Sequence, residues 1–252
     1  MNYLENGSLN RREKKKYILG LIQAEIQNSF SRILYGSGLK EKKHFRVQNI
    51  SIPDSRIVFQ ALEEAESNYS ERLLKHCYRT FYWSSGLGLV ENLKFDPELL
   101  FISSILHDIA LSENHNHICS QKCFALHGAD YIHSFAIKNK LSGQEAEILK
   151  NAVLHHLNPS VDKEKIGPEA YLLAKGAVLD VAGHGYHKLP HPFIIDIHRT
   201  YPREGFKEEI THTMEHFDHV ESSRAHILLK MGFVKKALNN KLDRKQMTLE
   251  LL

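Results

Sequence analysis

The chain has 252 residues, 42% of them apolar and 25% charged, with a net charge of +3. That is enough for one domain, or one domain with an added arm, and the charge is too small to argue for a nucleic-acid partner. Three cysteines (Cys77, Cys119, Cys123) suit a reducing compartment rather than a disulfide framework. The start MNYLENGSLNRREKKK has no signal-like apolar stretch, and no window reaches the ~18–20 apolar residues of a membrane span, so the expectation is a soluble, cytoplasmic protein with no membrane or nucleic-acid partner.

Residues 1–16 read as a polar start, the RREKKK run being a solvated face. Between 17 and 35, Ile18, Leu21, Ile22, Ile26, Phe30, Ile33 and Leu34 have helical spacing, and 36–51 reads as a connector. PDSRIVFQALEEAE, from Pro53, opens the next helix, with apolar spacing at Ile57, Val58, Ala61, Leu62 and Ala65. A further helix follows the cap Ser70, and DPELLFISSILHDIAL starts with Asp96 as cap and Pro97 at the first helical position. Helices then follow from Cys123, from the capping box Ser142–Glu145, from Gly167 and, as one or two closing elements, from Phe206. No run alternates as a strand does. The expected fold is all-α, a compact bundle of about seven to nine helices. It divides into an N-terminal arm and helix at 1–52, a main domain at 53–235 and a C-terminal tail at 236–252.

Most of the 17 histidines lie between His107 and His226. His76, His107, Asp108, His127, His155, His156 and Asp180 each interrupt an otherwise apolar helical run. Burying an imidazole or a carboxylate among Ile and Leu is costly without a partner. Imidazole with carboxylate is a ligand set for zinc, iron or manganese. Helical neighbours lie ~100° apart, so His107 and Asp108 can reach one ion between them. His115, His117, Cys119 and Cys123 match no common zinc spacing. Tyr82 and Trp83 read as core.

The order His76, His107–Asp108, Asp180 resembles the signature of the HD-domain metal-dependent hydrolase superfamily, over about residues 53–235. The resemblance implies an all-helical HD-domain bundle and a divalent metal held by those four residues. PDS, HCYRTFYWSSGL and YPREGFK (201–207) look like the cyanamide hydratase-like and related uncharacterised branch. That implies hydrolysis or hydration of a small molecule, a phosphate ester or a nitrile-like compound. His127, His155 and His156 resemble positions that bind a second ion in two-metal HD proteins. Either they do so here, bridging through Asp108 in one or two metals per chain, or they are acid/base and substrate-contact groups. Arg79, Lys175, His184 and His187 are substrate-contact candidates. HDIAL lacks the HDIGK continuation of cyclic-dinucleotide phosphodiesterases. An HD-type di-iron oxygenase and a non-catalytic HD module are the competing readings, and a homo-oligomer stays open.

Overall fold

The computed structural model describes residues 6–243. Among them the chain forms eleven α-helices and no strand: α1 (Arg11–Gly36), α2 (Arg56–Asn68), α3 (Glu71–Glu91), α4 (Pro97–Leu106), α5 (Phe124–Lys138), α6 (Gly143–His155), α7 (Pro168–Ala182), α8 (His191–Thr200), α9 (Phe206–His216), α10 (Arg224–Lys230) and α11 (Phe233–Leu238). The expected all-α class is what forms. Two differences raise the helix number. HPFIIDIHRT folds as α8 behind Pro190, and the closing region breaks into α9, α10 and α11. Ser223 caps α10, and Gly232, at φ +85°, separates α10 from α11.

Local chemistry explains most starts. Ser55, Ser70, Asp96 and Ser142 each accept hydrogen bonds from the first free amides of their helices. α1 begins earlier than the apolar spacing indicates. The Asn10 side chain accepts from the Arg12 and Glu13 amides, and Glu13 accepts from the Asn10 amide, so RREKKK is its first turns.

α3 is the central element. It packs along α7 and α4, and α6 joins α5, α4 and α7 around the same core. Trp83, Phe81, Phe101 and Phe193 are fully buried there, each contributing roughly 1.5–3 kcal/mol of burial. The α3–α7 approach depends on Gly176, where a Cβ would lie 2.1 Å from Ser84 Oγ and 2.6 Å from the Thr80 carbonyl. α7 ends at Gly183, whose φ of +74° suits a residue without a side chain. α1 lies outside this core. Its Tyr17 packs with Leu9 and Ile227, and Leu19, Ile22, Ile26 and Ile33 form an exposed stripe along its outer face. The expected boundary at 235 falls inside α11; Asn240 and Leu242 beyond it are buried, and 244–252 lie outside the described residues.

Candidate metal centre

His76 comes from α3, His107 and Asp108 from the end of α4, and His156 from the end of α6. The doublet is not inside a continuous helix as expected. α4 ends at Leu106, and Asp108, at φ −104° and ψ 18°, turns the chain into a short 3₁₀ segment at Ile109–Leu111. All four residues are buried. One donor atom from each of His76, His107 and Asp108 lies within 4.8 Å of the others.

Each of the three imidazoles has its Nδ1 fixed against an acceptor. His76 Nδ1 donates to Asp180 Oδ2 (2.7 Å), His107 Nδ1 to the Ser104 carbonyl (2.8 Å) and His156 Nδ1 to the Val153 carbonyl (2.6 Å). Carbonyls and carboxylates only accept, so the proton of each neutral ring sits on Nδ1 and the Nε2 lone pair faces inward. Those atoms surround one carboxylate. His76 Nε2 and His107 Nε2 lie 3.4 and 3.2 Å from Asp108 Oδ2, and His156 Nε2 lies 3.7 Å from Asp108 Oδ1. His156 Nε2 is buried with no hydrogen-bond partner. Converging lone pairs and a carboxylate repel one another unless a cation or protons lie between them. The donor set therefore fits a divalent transition metal. When a proton rather than a cation lies between them, burial opposes the charge on Asp108 and on His107, yet their attraction outweighs it, holding the Asp108 carboxyl well below its usual range and the His107 imidazolium well above. Burial, followed by His107, lowers His156 to about 3, so its ring stays neutral.

Asp180 stands behind this group. Its carboxylate accepts from Arg79 Nε and Nη2 (both 2.9 Å), Trp83 Nε1 (2.7 Å), Arg203 Nη1 (2.7 Å) and His76 Nδ1. Burial alone would raise its pKa; Arg79, Arg203 and His76 hold it well below the carboxylate range instead. Five donors use the acceptor capacity of the two oxygens, so Asp180 orients His76 rather than facing the donor cluster. Phe206 stacks on the His76 ring at 4.6 Å between centroids.

The cluster lines one part of a cavity of about 710 Å³ bordered by α1, α3, α7, the segment that follows α6 and the closing helices. Lys175, His184 and His156 line it too. Arg79 does not: it is fully buried in the Asp180 network and donates to the Pro202 carbonyl. His127 Nε2 faces His115 Nδ1 at 3.2 Å, and His155 Nδ1 lies 2.7 Å from Asn158 Nδ2. Neither joins the cluster: His127 is held by His115, and the helical step from His155 to His156 turns the His155 ring away. His184 and His187 do not continue the Asp180 face. α7 stops at Ala182, and they meet Glu25 (3.2 Å) and Ser31 Oγ (2.8 Å) of α1. Arg203 and Asn240, which donates to the Asp180 carbonyl, carry roles that spacing did not reveal; YPREGFK at 201–207 was the one signal for Arg203.

Among the described residues no helix is long and apolar enough to cross a membrane. Among curated proteins none matches the chain. The family model described as the HD domain matches residues 73–180, a span that opens just before His76, includes the His107–Asp108 doublet and closes on Asp180.

Proposed function

We propose that the chain is a metal-dependent hydrolase that cleaves a small-molecule phosphate ester. The observation that carries this is the convergence of three Nδ1-protonated histidines on the Asp108 carboxylate at the wall of a cavity. His76, His107 and Asp108 would hold one divalent ion, with His156 as fourth donor and Asp180 fixing the His76 ring. Such an ion supplies a Lewis acid that lowers the pKa of water from about 15.7 towards about 7.

The chain's own groups do the rest. Asp108 turns Oδ2 towards His76 and His107, which leaves Oδ1 to accept a hydrogen bond from the attacking water and orient it. Phe206 and Phe124 cover the cluster and exclude bulk water. A nitrile-like substrate of a few heavy atoms would leave most of the ~710 Å³ cavity unfilled, whereas cavities of about 300–1,000 Å³ suit larger ligands. The oxygenase reading needs His127 and His155 as ligands, and both face elsewhere.

The test is phosphate release from a panel of organic phosphomonoesters by protein loaded with manganese, zinc or iron. We expect turnover with at least one ion, loss on chelation, and a fall of at least a hundredfold in His107→Ala. Turnover that survives both chelation and His107→Ala would exclude this function.

A further inference from the structure

The cavity has a second chemical end that the metal centre does not use. α7 runs along its wall, presenting Ala174, Lys175, Ala177, Val178 and Val181. Asp180, which backs the cluster, is five residues beyond Lys175, about 7.5 Å further along the helix axis. Lys175 and the cluster therefore meet different parts of any one ligand.

The other charges around the cavity are neutralised or exposed. Glu25 pairs with Lys236 and His184. Glu91 pairs with Lys188 (3.3 Å) and accepts from the Tyr171 hydroxyl (2.8 Å). Lys40 is exposed. Lys175 is half-buried and makes no ion pair among the described residues; its ammonium lies 5.5 Å from the centre of the Tyr171 ring. Burial, then the charge of Lys188, lowers its pKa. A half-buried ammonium is costly when the nearby opposite charge, Glu91, is already engaged by Lys188 and the Tyr171 hydroxyl, and here it borders a space that a ligand can enter. The cavity lining includes the apolar side chains Leu21, Ala24 and Leu34 of α1 and Val178 and Val181 of α7.

We propose that Lys175 is the anion-binding end of the substrate site, and that the substrate is an amphiphile with an apolar body and an anionic group remote from the bond that is cleaved. This rests on the hydrolase reading for the cleaved bond, but anion binding at Lys175 needs no metal.

The test is therefore calorimetric titration of the chelator-treated full chain with decanoate and with decanol. Expected are decanoate binding at least tenfold tighter than decanol, a loss of at least tenfold for decanoate in Lys175→Met, unchanged decanol binding in that variant, and recovery in Lys175→Arg. Equal affinity for the two probes, no binding of either, or decanoate binding indifferent to Lys175→Met would overturn the proposal. None of these outcomes depends on the metal centre, so failure here leaves the hydrolase reading standing, and the reverse holds as well.

Discussion

The two longest helices are built in opposite ways. α3 buries thirteen of its 21 residues and carries His76, Arg79 and Trp83. α1 has 26 residues and buries only Tyr17. α3 is held by close packing and by the buried charge network around Asp180. α1 is held largely by side-chain contacts: the Tyr17 hydroxyl donates to the Leu157 carbonyl (2.7 Å), Asn28 Oδ1 accepts from the Gly185 amide (3.0 Å), Ser31 meets His187, and Glu25 meets His184 and Lys236. The chemistry sits on the rigid element, and the loosely attached one lies across the cavity. Segments with few buried apolar contacts open at lower free-energy cost than core elements. A route into the site beneath α1 is therefore easier than one through α3.

The contrast breaks most sharply at Asp180. Asp180→Ala leaves Arg79 and Arg203 buried beside one another without their shared counter-charge. Removing one partner of a buried ion pair costs about 3–5 kcal/mol. Urea unfolding should show a loss of that size; a loss under about 1 kcal/mol would mean that packing alone holds α3.

An intermediate effect lies in the α1 attachment and depends on pH. Burial first, then the positive charges of Lys188, Lys42 and Arg32, lowers His187 to about 4, against about 6.5 in an unfolded chain. Between those values the native ring binds fewer protons than the released one. Its contribution is complete above about pH 6.5 and is lost as the pH falls towards about 4. Amide exchange in α1, corrected for intrinsic rate, should lose protection between pH 7 and 5 while α3 does not change, and His187→Phe should flatten that dependence. Equal loss in both helices would erase the distinction. The smallest effect belongs to the outer face of α1, where Ile26 is 65% exposed. Ile26→Glu should change stability by less than about 0.5 kcal/mol, measured by thermal unfolding.

Sequence patterns reached the local features and stopped at the non-local ones. The caps Asp96–Pro97 and Ser142–Glu145 were readable because a cap is decided within four residues. Asn10–Glu13 has the same form, but the charge run behind it disguised a helix start. His107 and Asp108 were visible as polar residues in an apolar run. That α4 ends before them was not, since neither glycine nor proline marks the break. Which of His155 and His156 faces Asp108 depends on one helical step and on how α6 is rotated in the bundle. The role of Asp180 depends on Trp83, 97 positions away in the chain, and on Arg203, 23 positions away. No spacing rule connects those residues.

The most direct test of the metal centre is to titrate chelator-treated protein with zinc and with manganese and count the ions retained, in the wild type and in Asp108→Ala. One ion per chain in the wild type and none in the variant is the predicted result. A full complement of tightly bound metal in Asp108→Ala would show that the converging histidines and Asp108 are not the site.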